Sequence, residues 1–169
     1  YVLFDPEAFK GEVTVAEDEI VDYYDSNMDE FKTEKTVEAR HILIKLDPDA
    51  DEEADHAARA KAEEMAKMAR EGKDFAELAK THSEGPSRDN GGYLGKFQKS
   101  QMVKPFADKA FSMAPGEISD PVKTQFGWHV IKLESVEEAN TRTREESKDR
   151  IVATLKQRKT RNLAYDRAE

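Results

Sequence analysis

The sequence predicts an α+β domain, in which helices cover a β-sheet. Residues 36–46 (TVEARHILIKL) lack Gly and Pro and carry apolar side chains at odd and even positions. This pattern is typical of a central strand that is buried on both faces. Residues 51–70 are rich in Ala and begin with acidic side chains, which favours a long helix. Residues 128–134 (WHVIKLE) again have strand character, so at least two strands and a covering helix are expected.

Helical spacing, caps and turn residues predict the remaining elements. They are an extended segment over 1–11, a helix over 16–31 that follows capping-box spacing at Thr14 and Glu17, helices over 75–79 and 105–111, a loop over 83–92, a short strand over 118–123 and a helix over 143–165. Each predicted helix has an apolar side, so each needs a packing partner.

Composition and charge exclude several classes of function. The 169 residues include 27 Lys and Arg against 36 Asp and Glu, a net charge of −9. Nucleic-acid binding requires a basic face, so we do not expect a nucleic-acid partner. The absence of Cys excludes thiolate zinc sites, disulfides and a Cys nucleophile. The chain begins at Tyr1 with no signal peptide, and we expect any targeting segment to lie outside this sequence.

Two of the four histidines interrupt apolar strands. His41 lies in the first predicted strand and His129 in the last. A buried imidazole needs hydrogen-bond partners, so the two rings are either separate structural histidines or a pair that face each other. The histidines show no HExxH or other metal-ligand spacing, and neither a metal nor a cofactor is predicted.

The order of several short motifs points to a family. They are HILI at 41–44, FAELA at 75–79, HS at 82–83, GGYLG at 91–95, QMVKPF at 101–106, PGEISDPV at 115–122 and FGWHVI at 126–131. This series resembles the parvulin (PpiC-type, rotamase) family of peptidyl-prolyl cis-trans isomerases over residues 36–135. The resemblance implies a four-stranded antiparallel sheet surrounded by helices, and isomerisation of X-Pro bonds without a metal or cofactor.

The resemblance also implies which residues form the site. It places His41 and His129 at the paired-histidine position under the substrate, where they shape the site and are not nucleophiles. It assigns the apolar pocket for the proline ring to Leu94, Met102 and Phe106, with Phe126 closing the pocket wall.

One loop departs from the family pattern. Family members carry Cys or Asp shortly after the Ser that corresponds to Ser83, whereas this sequence has Gly85 there. The adjacent Glu84 could supply the carboxylate if the loop were shifted by one residue. Both residues are therefore candidates for the catalytic loop. If neither serves, the alternative function is a catalytically weak or inactive chaperone that binds clients through a parvulin fold.

Two flanks, residues 1–35 and 136–169, surround the isomerase core at 36–135. They resemble the flanks of extracytoplasmic foldases of the PpiD, SurA and PrsA group. We therefore expect residues 1–35 to belong to a chaperone region, and the C-terminal helix to pack on them or on a partner. The resemblance implies unfolded or extended proline-containing polypeptides as clients, a location in the bacterial periplasm or on the outer face of the inner membrane, and a membrane anchor outside this sequence. Oligomeric state stays open.

Overall fold

The computed structural model describes residue 11 and residues 13–166, so most of the predicted extended segment lies outside the described residues. The helices are α1 (Glu17–Ser26), α2 (Glu52–Arg70), α3 (Phe75–His82), α4 (Lys104–Ala110) and α5 (Arg144–Asp166). The strands are β1 (Lys32–Thr33), β2 (Thr36–Lys45), β3 (Tyr93–Gln98), β4 (Val122–Thr124), β5 (Gly127–Glu137) and β6 (Asn140–Thr141). The chain divides into two compact units. One contains residues 34–139, and the other contains the described residues before and after that range.

The unit of residues 34–139 is built on a four-stranded antiparallel sheet with the order β3-β2-β5-β4. Strand β2 is hydrogen-bonded on both edges, which confirms its prediction as a central strand. Side chains alternate across a strand, so the odd and even residues of β2 enter different cores. Ile42 and Ile44 pack with α2 and α3, whereas Val37 and Ala39 pack with α4.

Some predicted boundaries were wrong. The helix predicted over 16–31 ends at Ser26 and continues as a 3₁₀ turn over Met28–Phe31. The Ala16 amide donates to the Glu19 carboxylate, so the predicted capping pair of Thr14 and Glu17 does not form the start. Of the residues predicted as a strand over 118–123, only Val122 and Lys123 form a ladder, as part of β4. Ile118 makes an isolated bridge, and Pro121 has no N–H to donate to a longer one.

The other unit contains the paired helices α1 and α5. Their shared core consists of Ile20, Tyr23, Phe31 and Ile151. The first and last strands pair with each other in this unit, through the register Lys32↔Thr141 and Thr33↔Asn140. Among the described residues, no helix has the length and apolar character needed to cross a membrane.

Candidate active site

A cavity of about 880 Å³ lies on the α4 side of the sheet. The histidines, the residues assigned to the proline pocket and the predicted wall residue all line it: His41, His129, Leu94, Met102, Phe106 and Phe126. They come from β2, β3, β5, α4 and the connecting loops. The sheet therefore brings together side chains that are up to 88 residues apart in sequence.

Phe106 is the deepest apolar residue of this group. It lies in the first turn of α4, directly after Pro105, whose fixed φ suits a helix start. The Phe106 side chain is buried, and its ring contacts both histidine rings edge-on, at centroid distances of 5.7 and 5.3 Å. Phe106 thus connects the apolar wall of the cavity to the histidines.

The two histidines form a direct hydrogen-bonded pair. In the β2–β5 ladder His41 lies opposite Ile131 and His129 lies opposite Leu43, so the two imidazoles are diagonal neighbours on one face. Their Nδ1 atoms are 3.0 Å apart, and the rings stack at 5.2 Å between centroids. Of the two arrangements that the sequence left open, the structure adopts the facing pair.

Each histidine also contacts a hydroxyl group. His41 Nε2 lies 3.0 Å from Ser87 Oγ, and His129 Nε2 lies 2.7 Å from Thr124 Oγ1. The result is a continuous chain from hydroxyl to imidazole to imidazole to hydroxyl. One Nδ1 must donate to the other. Two sets of tautomers allow this, and the donor and acceptor of every hydrogen bond in the chain exchange between them.

Burial keeps both rings neutral near pH 7. Desolvation lowers the pKa of His41 to about 4. Desolvation and the nearby His41 together lower the pKa of His129 to about 3. A neutral pair can satisfy all four ring nitrogens within the hydroxyl–imidazole chain, whereas a protonated ring would place two N–H donors against each other or add a buried charge. The pair therefore forms a fixed, uncharged surface at the bottom of the cavity.

The structure does not bring Glu84 to the cavity. Its carboxylate accepts a hydrogen bond from the Lys45 amide at 2.6 Å, and the side chain lines other surface clefts. Gly85 does lie beside the pair, because a Cβ there would be 3.6 Å from His41 Nε2. That Cβ would also be 3.3 Å from Leu43 Cβ, so the space for a side chain is tight.

No sequence motif indicated the two hydroxyl residues, Ser87 and Thr124. Ser87 lies four residues beyond Ser83, and its hydroxyl is 3.0 Å from His41 Nε2. Thr124 ends β4 at a tight turn, where hydroxyls often bond to nearby groups. Proximity to a turn was the available signal in both cases, but it does not specify the histidine partners.

A second set of contacts holds the β4–β5 turn that carries Thr124. Asp55, in the first turn of α2, accepts a hydrogen bond from the Trp128 indole N–H at 2.7 Å. Its other oxygen is 2.8 Å from the Lys123 ammonium. Lys123 directly precedes Thr124, and Trp128 directly precedes His129. The Asp55 carboxylate therefore holds the residues next to both partners of the Thr124–His129 hydrogen bond.

Residues 41–135 match the family described as "Rotamase: PPIC-type PPIASE domain". The chain belongs to this family. The match covers more than half of the chain and includes every residue of the histidine pair and the apolar pocket. The predicted parvulin resemblance is thereby confirmed.

Curated relatives are foldases and prolyl isomerases by name. The foldase protein PrsA of Caldanaerobacter subterraneus is 40% identical over 129 residues, which cover 76% of this chain and 37% of the relative. A putative peptidyl-prolyl cis-trans isomerase of Helicobacter pylori is 37% identical over 153 residues, covering 86% of this chain and 48% of the relative. The chain therefore spans less than half the length of these two relatives.

Solved structures of similar fold include chaperones and isomerases. One comes from a study of the virulence factor PEB4 and the periplasmic protein Cj1289, described as SurA-like chaperones of Campylobacter jejuni. It has a TM-score of 0.70 and 30% identity, and covers 96% of this chain and 63% of that one. The peptidylprolyl isomerase PrsA of Bacillus anthracis has a TM-score of 0.54 and 29% identity, over 92% and 60% of the two chains. These neighbours confirm the predicted parvulin-like fold.

Proposed function

We propose that this chain catalyses cis-trans isomerisation of X-Pro bonds in unfolded or extended polypeptides. The observation that carries the proposal is the neutral pair of His41 and His129 at the base of an apolar cavity of about 880 Å³. Membership of the rotamase family supports the reaction type, and the side chains that line the cavity suit that reaction.

The reaction needs a site that favours a twisted amide. Rotation about the peptide C–N bond faces a barrier of about 18–20 kcal/mol, because the planar amide is stabilised by resonance. No bond is made or broken. Acceleration by a factor of about 100 to 10,000 requires about 3–5 kcal/mol of tighter binding to the twisted amide than to the planar one.

The apolar wall supports this preference through solvation. Leu94, Met102 and Phe106 present hydrocarbon and a thioether to the bound ring. The planar amide is the more charge-separated form, so transfer from water to a less polar surrounding costs the planar amide more than the twisted one. Anchoring the proline ring also fixes one side of the rotating bond.

The histidine pair serves this mechanism by position and not by nucleophilic attack. Both rings are buried and held by Ser87 and Thr124 at their outer nitrogens. Because the pKa of each ring is lowered by burial, neither carries a charge that would stabilise the planar, dipolar amide. Phe106 packs against both rings, so the distance between the histidine pair and the apolar wall of the cavity is fixed.

NMR exchange spectroscopy on an Ala-Pro peptide, without a coupled protease, tests the proposal. Wild type should accelerate exchange, and Met102→Ala should lower the catalysed rate about tenfold by removing contacts to the proline ring. Met68→Ala is the matched control, because Met68 is a partly buried methionine in the core on the other face of the sheet. Folded wild-type protein that gives no acceleration would overturn the proposal.

A second variant tests the histidine pair. His41→Ala should slow the reaction while the protein stays folded. It removes one imidazole from the bottom of the cavity and interrupts the hydrogen-bonded chain from Ser87 to Thr124. An unchanged rate would remove His41 from the site. The rival function, client binding without catalysis, predicts equal affinity for matched peptides with Pro or Ala at the central position. A clear preference for Pro counts against it.

The division of labour along the chain is also a proposal. We infer that residues 36–135 carry the isomerase activity, that residues 1–35 belong to a chaperone region, and that the helix within residues 136–169 packs on them or on a partner. The family match over 41–135 and the compact unit of residues 34–139 support this division. The description of one structural neighbour as a periplasmic protein supports a location in the periplasm or another extracytoplasmic space.

A further inference from the structure

The turn over residues 87–92 carries the hydroxyl that contacts His41. Ser87 begins this turn, and its carbonyl accepts hydrogen bonds from the amides of Asn90 and Gly92, at 3.1 and 2.9 Å. The turn is thereby closed on the residue whose side chain contacts the histidine pair. The position of the Ser87 hydroxyl therefore depends on how the whole turn is attached to the sheet.

Strand β2 holds the turn at two adjacent residues. The backbone amide of His41 donates to the Gly92 carbonyl at 2.9 Å. Arg40 Nη1 donates to the carbonyls of Gly91 and Asn90, at 3.1 and 3.3 Å. Side chains alternate across a strand, so Arg40 leaves β2 on the face opposite to the His41 ring. Arg40 therefore holds the turn from outside the cavity.

The turn approaches Arg40 so closely that position 91 requires glycine. Gly91 has φ of +63°, and a Cβ there would be 3.0 Å from Arg40 Nη1 and 2.7 Å from the Cβ of Ala76 in α3. Glycine adopts this backbone conformation without strain and leaves space for the guanidinium. The Gly91 carbonyl can thus come within hydrogen-bond distance of Arg40.

The guanidinium of Arg40 is itself fixed by neighbours on two strands. Its Nε donates to the carboxylate of Glu134 in β5 at 3.0 Å, and the two side chains are 28% and 31% exposed. Because this ion pair is partly buried, salt screens it less than a fully exposed pair. Tyr93, opposite Arg40 in β3, has its ring centroid 5.2 Å from the guanidinium carbon. A planar guanidinium can contact a carboxylate, an aromatic face and two carbonyls at once, and a Lys ammonium lacks this geometry.

We propose that Arg40 is a positioning residue of the isomerase, which holds the turn of residues 87–92 so that the Ser87 hydroxyl stays on His41 Nε2. The inference rests on the proposed isomerase function and adds a residue outside the cavity on which that function depends. Loss of Arg40 leaves the apolar pocket for the proline ring intact. It releases the hydroxyl that orients one imidazole, so the effect falls on the catalytic step and not on binding.

NMR exchange on the Ala-Pro peptide separates these two effects. Arg40→Met removes every N–H donor from an unbranched side chain, and it should lower kcat about tenfold while KM changes by less than about twofold. Arg158→Met is the matched control, because Arg158 also lies 5.2 Å from a tyrosine ring, that of Tyr23 in the two-helix unit. Both constants should stay at their wild-type values in this control. A wild-type kcat in Arg40→Met would overturn the proposal.

A double-mutant cycle tests the route through Ser87. Ser87→Ala removes the hydroxyl and should lower kcat about as much as Arg40→Met does. The double variant should be no slower than Ser87→Ala alone, because Arg40 then has no hydroxyl to hold. Independent effects would multiply to a loss of about a hundredfold. Such a product, or a wild-type kcat in Ser87→Ala, would refute the route.

The ¹⁵N shift of His41 Nε2 is a readout that a general loss of stability does not move. In the folded protein it should change in the same direction in Arg40→Met as in Ser87→Ala, and an unchanged shift in Arg40→Met would reject the role. If Arg40→Met does not fold, Glu134→Gln replaces it, since this variant keeps Arg40 and removes only the charge that fixes the guanidinium. Glu134→Gln should lower kcat and move the shift in the same direction, and wild-type values of both would reject the role.

The outcomes separate this inference from the function on which it rests. Acceleration by wild type, with an unchanged kcat in Arg40→Met, would reject the role of Arg40 and keep the isomerase. No acceleration by wild type would reject the isomerase and, with it, the catalytic consequence of Arg40. In that case the shift of His41 Nε2 still decides whether Arg40 holds the Ser87 hydroxyl in place.

Discussion

Acid should destabilise the sheet unit through His41 and His129. The two side chains are only 6% and 4% exposed, and burial lowers the pKa of His41 to about 4 and that of His129 to about 3. In an unfolded chain a histidine titrates near pH 6.5. The unfolded state therefore binds more protons than the folded state as soon as the pH falls below about 6.5, and protonation favours unfolding.

The size of the effect follows from these pKa values. The stability that the neutral rings allow is fully present above pH 6.5 and is lost progressively as the pH falls towards about 4 for His41 and about 3 for His129. A change from pH 7 to pH 5 costs about 2 kcal/mol for each ring. At pH 5 neither ring is protonated in the folded state, so the two costs add to about 4 kcal/mol, a large part of the usual stability of a domain.

Urea unfolding at pH 7 and pH 5 measures this loss. Trp128 is the only tryptophan and lies in β5, so its fluorescence reports on the sheet unit alone. His129→Asn should reduce the loss to about 2 kcal/mol, because one titrating ring remains. His56→Gln is the matched control, since His56 is exposed, and it should lose as much as wild type. A wild-type loss below about 1 kcal/mol, or an undiminished loss in His129→Asn, would refute the reasoning.

Three further substitutions probe how the site is held. Phe106→Ala should lower the unfolding free energy by about 3–5 kcal/mol, because it empties a buried aromatic position; a loss under 1 kcal/mol by urea titration would contradict this. Gly127→Ala should lower the urea midpoint far more than Gly95→Ala, since a Cβ on Gly127 meets backbone whereas one on Gly95 meets nothing within 4 Å; equal midpoints would contradict it. Asp55→Ala should shift the ring resonances of His129 by releasing the β4–β5 turn, and identical spectra would contradict that role.

The fold was predictable where one segment carried its own pattern. Strand β2 and helix α2 were found close to their observed limits, because apolar side chains on both faces and an Ala-rich run with an acidic start are local signals. Strand β3 was not placed by any local signal. It is a short edge strand with Gly95 near its middle, and Phe97 is its one fully buried residue, so its pairing with β2 defines it and not its own pattern.

The residues of the site also separate into those with a local sequence signal and those without one. The histidines and the residues assigned to the apolar pocket were named from short motifs in the sequence, and they line one cavity. The hydroxyl partners depend on tertiary contacts between segments, because Ser87 reaches a histidine 46 residues away. The proposed role for Glu84 relied on proximity in sequence, but its carboxylate is already used to bond the Lys45 amide at the end of β2.

The pairing of β1 with β6 brings together the two points where the chain enters and leaves residues 34–139. Thr33 and Asn140 are partners in an antiparallel ladder, and the Cα atoms of such partners are about 4.5–5.5 Å apart. A two-residue turn can bridge that gap, so residues 34–139 could be replaced by a hairpin turn without stretching the chain. Residues 34–139 are therefore inserted between two adjacent strands of the two-helix unit, and their own two ends leave that unit at neighbouring points.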